Sequence, residues 1–144
     1  MKLVVLKFGG TSVADVPQIK KIALKVKKEV NKSNRVIVVV SAMAGVTNNL
    51  VDLVKTTSEI SSYSEYDVVL STGEQVTSAL LATALINLNI KARSWLGWQV
   101  PIISDNSYGK AVIEEIKTDN IGLFTEDELV AKGYQLTDTG WVKA

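Results

Sequence analysis

The stretch LVVLKFGGTS, residues 3–12, decides the fold, because a short apolar run passes directly into a pair of glycines. Its first four residues are all apolar, which is typical of a strand that is buried on both faces. The stretch RVIVVVSAMAGVT, residues 35–47, repeats the arrangement with a β-branched strand and a turn of small residues. Segments with helical spacing follow both turns. This alternation predicts a mainly parallel sheet flanked by helices, which is an α/β fold.

The helical segments are predicted from apolar residues that recur every three or four positions. Asp15 and Gln18 have the spacing of a capping box at the start of the first segment. The last segment begins with Gly73 and is apolar almost all round, which predicts a deeply buried helix. The polar stretch 56–65 before it reads as a loop. The predicted helices cover residues 16–31, 48–57 and 73–88.

Signals in the rest of the chain are weaker. Short apolar runs separated by turn residues such as Gly97 and Gly109 indicate strands. Thr125 and Glu128 have capping-box spacing and predict a short helix that ends near Lys132. The strand candidates are Ala92–Leu96, Pro101–Ile103, Ala111–Ile116 and Tyr134–Leu136.

Composition excludes several kinds of chemistry. The 144 residues include 16 Lys plus Arg and 15 Asp plus Glu, so the net charge of +1 gives no field that would attract nucleic acid or an acidic membrane. The absence of cysteine and histidine rules out disulfides, thiolate nucleophiles, Ser-His-Asp triads and most transition-metal sites. No run reaches the roughly 18 apolar residues of a membrane span, and no signal-peptide core is present, so we expect a cytoplasmic protein.

Lys7, Gly9 and Gly10 form the first candidate site, at the carboxyl end of a predicted strand. Glycines let a ligand approach the backbone, consecutive N–H groups can bind an oxyanion, and the Lys7 ammonium supplies a positive charge. The spacing is neither that of a Walker A loop nor that of a dinucleotide fingerprint. Two interpretations stay open: an anion site, or an ordinary glycine turn beside a lysine that faces solvent.

Two further candidate sites lie next to predicted helices. Ser41 and Thr47 follow the second strand, so their hydroxyls would face the same sheet edge as the first site, although Thr47 is also a good helix N-cap. Glu74 lies where Thr72 and Gln75 have capping-box spacing, so it could simply complement a helix dipole. In the functional interpretation, Glu74 pairs with the ammonium group of an amino acid.

At these places the sequence resembles a known family. Three segments are similar, in order, to the successive N-terminal motifs of the aspartokinases, which are members of the amino acid kinase family: KFGGTSV at 7–13, VVSAM at 39–43 with VTN at 46–48, and STGEQV at 71–76. The resemblance implies the three-layer α/β sandwich of an amino acid kinase. Residues 1–121 would form its amino-acid-binding half, and residues 122–144 a divergent tail.

The resemblance also implies a function, the transfer of the γ-phosphoryl group of ATP to the β-carboxylate of L-aspartate on the way to lysine, threonine and methionine. Mg²⁺ would be held through the nucleotide phosphates and not by protein side chains. Phosphoryl transfer to a carboxylate needs no general base, so the lack of histidine fits. By resemblance, Lys7, Phe8, Gly9 and Gly10 form the ATP phosphate site, Lys7 is also catalytic through its charge, and Ser41, Thr47 and Glu74 contact L-aspartate.

Aspartokinases continue beyond the matching region into a second phosphate motif, an adenine-binding half and regulatory domains. We therefore expect the 144-residue chain to be inactive alone or to need a partner. We also expect a homo-oligomer that forms through the sheet edge and surface that the other half would cover. The alternative is a noncatalytic remnant or interaction module that keeps the fold and an anion site. A kinase with another acceptor is disfavoured by VTN at 46–48 and GEQ at 73–75.

Overall fold

The computed structural model describes residues 2–58 and 62–117 and the backbone of two short strands, 134–137 and 140–143. The chain divides into two units, Met1–Ser94 and Trp95–Ala144. The helix predicted over 125–132 lies outside the described residues. The predicted end of the kinase-like region at residue 121 lies there as well, so that boundary stays a prediction.

Two parallel strands, β1 (Leu3–Phe8) and β2 (Arg35–Val40), form the sheet of the first unit. Leu3 is opposite Arg35 and Phe8 is opposite Val40, so both strands end at the same edge. Helix α1 (Val16–Val30) connects them, because parallel strands require a crossover connection. Both predicted strands, the first helix and the α/β fold with a parallel sheet are confirmed.

Helix α1 begins where the sequence predicts it. The Asp15 side chain accepts a hydrogen bond from the N–H of Gln18 at 2.8 Å, which satisfies a backbone donor that has no partner inside the helix. One face of α1 is buried. Together with Val13, which precedes the helix, and with Leu81 and Leu85, which lie much later in the chain, this face forms the core of the first unit. The core residues are Val13, Ile19, Ile22, Ala23, Val26, Leu81 and Leu85.

Helix α2 (Val46–Thr57) begins earlier than its predicted start at Asn48. Its N-cap is Gly45, which has a φ of 78° in the left-handed region. Glycine adopts this conformation without steric cost, so the chain can reverse and enter the helix at once. Thr47 therefore lies in the first helical turn, and its interpretation as the N-cap is wrong.

Helix α3 (Tyr63–Asn87) begins well before Gly73, so the predicted start at Gly73 and the capping box at Thr72 are wrong. Polar residues are compatible with this helix because their hydroxyls bond to the carbonyls of the helix itself. Thr72 Oγ1, for example, donates to the carbonyl of Val69 at 2.7 Å. Of the loop predicted over 56–65, residues 56–57 belong to α2 and residues 63–65 belong to α3, so that part of the prediction is wrong.

Helix α3 packs on α1 and α2 and is buried along one stripe only. Val76 is 49% exposed and Ile86 is 57% exposed, so the expectation of deep burial all round for residues 73–88 is wrong. By length and apolar composition α3 could also cross a membrane, a criterion that core helices of soluble proteins meet as well. The buried stripe consists of Gly73, Thr77, Leu81 and Leu85.

Within residues 2–58 and 62–94, the sheet of the first unit is covered on one face only. Phe8 and Val38 pack against the core, whereas Leu3 and Val5 on the opposite face are 48% and 59% exposed. The apolar run of β1 predicted a strand buried on both faces, and this is not observed. The reason is that α1 and the buried stripe of α3 contact the same face of the sheet. We call the uncovered residues Leu3, Val5 and Val39 the open sheet face.

The second unit contains strands that pair antiparallel. Strand β3 (Ile102–Ser104) pairs with β4 (Ile113–Ile116). The carboxylate of Asp105 shapes their connection, because it accepts the N–H of Ser107 at 2.9 Å and that of Val112 at 3.4 Å. The hydrogen bond from the Ser107 backbone is the main reason that the pKa of Asp105 lies below its usual value.

Strand β5 (Tyr134–Thr137) pairs antiparallel with β6 (Gly140–Lys143), which confirms the strand predicted near Tyr134. The strand candidates near Ile102 and Ile113 correspond to β3 and β4. The candidate Ala92–Leu96 forms no strand. Within the described residues, parallel pairing is confined to the first unit.

Candidate functional site

The turns that follow β1 and β2 lie side by side at the carboxyl edge of the sheet. Phe8 and Val40 are paired as the last residues of the two strands. The backbone N–H of Ser41 then donates to the carbonyl of Phe8 at 3.2 Å, which continues the pairing beyond the strands. Ligands of open α/β sheets bind outside this edge, so the two turns occupy the expected position.

The glycine turn after β1 leaves backbone donors available. Its carbonyl at Gly9 accepts the N–H groups of Ser12 at 2.8 Å and Val13 at 3.2 Å, which closes the turn. The N–H groups of Gly9, Gly10 and Thr11 have no hydrogen-bond partner in the part of the chain that the structure describes. Neighbouring amides of this kind can bind an anion.

The Lys7 side chain is exposed and bends over this turn. Its Nζ atom lies 3.8 Å from the position that a Cβ atom at Gly9 would occupy. Across residues 2–58 and 62–117, no carboxylate forms an ion pair with Lys7. A full positive charge therefore lies beside unpaired amides, which favours the anion site over an ordinary turn with a lysine directed away from it.

Gly10 allows the two turns to approach each other closely. A Cβ atom at Gly10 would lie 3.2 Å from the carbonyl oxygen of Ala42. That separation is tighter than ordinary van der Waals contact, so a side chain at residue 10 would push the turns apart. The two glycines thus contribute unpaired backbone N–H groups, and Gly10 also allows the turn after β2 to pack closely against the turn after β1.

Helix α3 brings a carboxylate to the same edge. Glu74 Oε1 accepts a hydrogen bond from the backbone N–H of Ala42 at 3.1 Å. The neighbouring Gly73 is so close that a Cβ atom on it would lie 2.9 Å from Ala42 Cβ. Glu74 is in the middle of α3, so its interpretation as a first-turn residue that complements the helix dipole is wrong.

Ser41 and Thr47 lie at the two ends of the turn after β2. Ser41 is half-buried directly after the strand, and Thr47 is exposed in the first turn of α2. The start of α2 is held near α3, since Val46 Cγ1 lies 3.4 Å from the Cβ position of Gly73. The structure therefore brings together the three segments that contain the predicted site residues Lys7, Phe8, Gly9, Gly10, Ser41, Thr47 and Glu74.

Ala42 is the residue that sequence reasoning missed. Its carbonyl oxygen faces Gly10, its N–H bonds to Glu74, and its Cβ atom faces Gly73, so it contacts both of the other segments. The available signal was Gly73 itself, because a glycine beside a predicted helix can mark a close approach of the backbone to a neighbouring segment.

The donors at this edge suit an anion better than a metal ion. The groups offered are backbone amides, hydroxyls and the Lys7 ammonium, which bind phosphate and carboxylate oxygens. The described residues contain no group of three or more acidic side chains that could hold a cation. Glu74 is the one acidic residue at the site, and it offers a carboxylate to a positively charged group.

A model of the amino acid kinase family matches residues 2–140. The chain belongs to the amino acid kinase family. An aspartokinase of Rickettsia felis is 57% identical over 122 residues, which are 83% of this chain and 30% of the relative. An aspartokinase of Geobacillus stearothermophilus is 43% identical over 143 residues, which are 97% of this chain and 35% of the relative.

A solved structure adds to the comparison. The aspartate kinase from Synechocystis superposes with a TM-score of 0.58 and 46% sequence identity, over 60% of this chain and 15% of that structure. The resemblance to aspartokinases is thus confirmed, as is the amino acid kinase-like α/β fold. This member of the amino acid kinase family spans about a third of the length of the curated relatives it matches.

Proposed function

We propose that this chain forms the L-aspartate-binding and phosphate-binding part of an aspartate kinase, which transfers the γ-phosphoryl group of ATP to the β-carboxylate of L-aspartate. The observation that carries the proposal is the contact of three segments at one sheet edge, through the 3.1 Å bond from Ala42 to Glu74 and the close approach of Gly10 to Ala42. The aspartokinase relatives supply the substrate class.

On this proposal Lys7 and the backbone from Phe8 to Gly10 bind the phosphate groups of ATP. The Lys7 ammonium would stabilise the charge that spreads over the phosphoryl oxygens during transfer, a contribution typically worth about 10²- to 10³-fold in rate for one such contact. Mg²⁺ would be held through the nucleotide phosphates and would neutralise part of their charge when bound.

The acceptor would lie between the turn after β2 and helix α3. Ser41 and Thr47 would donate hydroxyl hydrogen bonds to carboxylate oxygens of L-aspartate, and Glu74 would accept its ammonium group. The β-carboxylate attacks the phosphorus as an anion, so no proton has to be removed. A site without histidine can therefore carry out this reaction by positioning and charge alone.

The wider biology belongs to the same proposal. The reaction would be the first step toward lysine, threonine and methionine and would take place in the cytoplasm, without a nucleic acid or membrane partner. The open sheet face supports self-association as a homo-oligomer, because Leu3, Val5 and Val39 leave apolar surface exposed. We expect turnover to require a further chain or segment that contributes the adenine-binding half, since the chain spans about a third of its relatives.

The test combines binding with turnover. Calorimetry should show that the 144-residue chain binds L-aspartate and prefers it over L-glutamate. With a further chain or segment that supplies the adenine-binding half, ADP release with Mg-ATP and L-aspartate should be lost in Lys7→Ala and kept in Lys20→Ala, a control that removes an exposed lysine from α1. Aspartate binding without turnover, even with that half present, would support the noncatalytic module. A chain that does not bind L-aspartate and releases no ADP with that half present contradicts the proposal.

A further inference from the structure

The Glu74 carboxylate has two oxygens, and one of them is already bonded. Oε1 accepts the N–H of Ala42 at 3.1 Å, while Oε2 has no partner among the residues that the structure describes. The Glu74 side chain is exposed overall. A carboxylate can accept several hydrogen bonds, so the bond at Oε1 leaves Oε2 able to receive a donor from a ligand.

The donor in this bond is a buried one. Ala42 is only 4% exposed, so its N–H has little access to water. A buried amide that loses its acceptor keeps the full desolvation cost, which makes the carboxylate important for the conformation of this turn. The Glu74 side chain reaches the turn from α3, a separate element, and so connects the turn to the helix.

Two close approaches restrict Ala42 further. The Cβ position at Gly73 lies 2.9 Å from Ala42 Cβ, and the Cβ position at Gly10 lies 3.2 Å from the Ala42 carbonyl oxygen. Three neighbours thus restrict Ala42. Gly73 lies close to its Cβ atom, Gly10 lies close to its carbonyl oxygen, and Glu74 accepts its N–H. A displacement of Ala42 would move Ser41 directly and would alter the path of the chain toward Thr47.

We propose that Glu74 is a positioning residue for the turn from Ser41 to Thr47, in addition to its contact with the substrate. Oε1 fixes the turn through Ala42, and Oε2 receives the ammonium group of the amino-acid substrate. The identity of that ligand rests on the proposed function. Because the same carboxylate makes both contacts, ligand binding and the conformation of the turn are coupled.

Amide hydrogen exchange in the full chain, followed by NMR, separates positioning from a ligand contact alone. Glu74→Ala should speed the exchange of the Ala42 amide by about tenfold or more, because the bond to a charged acceptor is lost. Glu74→Gln keeps an oxygen acceptor of the same shape and should restore protection. Glu65→Ala, which removes an exposed acid from the same helix, should leave the exchange rate unchanged.

Binding of L-aspartate to the same variants tests the second half of the proposal. Glu74→Gln should lose affinity although Ala42 stays protected, since the neutral amide cannot pair with an ammonium group. An Ala42 amide that exchanges equally fast in Glu74→Ala and in the wild type overturns the positioning role. A wild-type chain that does not bind L-aspartate contradicts the proposed function and the contact at Oε2, while the exchange rates still decide the positioning role.

Discussion

A Cβ atom at Gly73 would lie 2.9 Å from the Cβ atom of Ala42, well inside the separation of about 3.5–4.0 Å at which carbon atoms attract. Helix α3 can therefore approach the turn after β2 only because residue 73 has no side chain. Glycine inside a helix costs about 0.5–1 kcal/mol relative to alanine. The close approach explains why this position is nevertheless compatible with a long helix.

Replacing Gly73 by alanine should destabilise the first unit. The gain in helix propensity is smaller than the cost of overpacking, which is typically about 1–3 kcal/mol, so we expect a net loss of about 1–2 kcal/mol in the free energy of unfolding. Urea denaturation measures this loss. Gly97→Ala is the control, because a Cβ atom there meets nothing within 4 Å. A Gly73→Ala chain as stable as the wild type would show that helix α3 and the turn after β2 can move apart without a loss of stability.

Removing the N-cap of α1 should also reduce stability. The Asp15 side chain accepts the N–H of Gln18 at 2.8 Å, and replacing such a cap by alanine typically costs about 1 kcal/mol. Asp15→Asn keeps an acceptor and should retain most of the stability. Asp52→Ala, an exposed position within α2, serves as the control. Thermal unfolding that gives Asp15→Ala and Asp52→Ala the same midpoint would refute the role of this cap.

The first half of the first unit could be predicted because its signals are local. The β-branched run Arg35–Val40 is a strand, and the spacing of Asp15 and Gln18 marks the start of α1. Local signals could not define the start of α3. Its serines and threonines are typical of loops, and only the finished helix lets a hydroxyl such as that of Thr72 bond to its own carbonyls.

The candidate site was predictable as a set of segments but not as a set of contacts. The rule that ligands bind at the carboxyl ends of parallel strands places the turns after Phe8 and Val40 together. Nothing in the sequence shows that Glu74 bonds to the amide of Ala42, since that contact joins residues far apart in the chain. Tertiary packing alone determines it.

Glu29 gives a prediction for pH. Lys32 Nζ donates to its Oε1 at 2.6 Å and the Asn34 side chain donates to its Oε2 at 3.0 Å. These bonds, the one from Lys32 first, hold the pKa of Glu29 below its ordinary value of 4.5. A lowered pKa contributes stability that is complete above the unfolded value and is lost as the pH falls through the folded value.

The stability difference between the wild type and Glu29→Gln should therefore be constant at neutral pH and shrink as the pH falls below 4.5. Carboxyl NMR titration should place the Glu29 pKa below this value, and Lys32→Ala should raise it. Lys28→Ala, the neighbouring lysine near the end of α1, should have less effect because it does not bond to Glu29. A Glu29 pKa that is insensitive to Lys32→Ala would contradict this explanation.

Adjacent valines on β2 test whether the sheet is covered on one face only. Val38 packs against the core, whereas Val39 belongs to the open sheet face and is 48% exposed. A hydroxyl introduced by Val38→Thr would lie against the apolar core at a partly buried position, and a polar group that loses water without gaining a hydrogen bond typically costs about 1–3 kcal/mol. Val39→Thr should change the free energy of unfolding by less than about 0.5 kcal/mol, because the hydroxyl reaches water. Both variants keep the β-branched shape, so chemical denaturation compares burial alone.

Equal losses of stability at Val38 and Val39 would mean that the open sheet face is covered in solution. Sedimentation equilibrium would then show whether a second copy of the chain covers it.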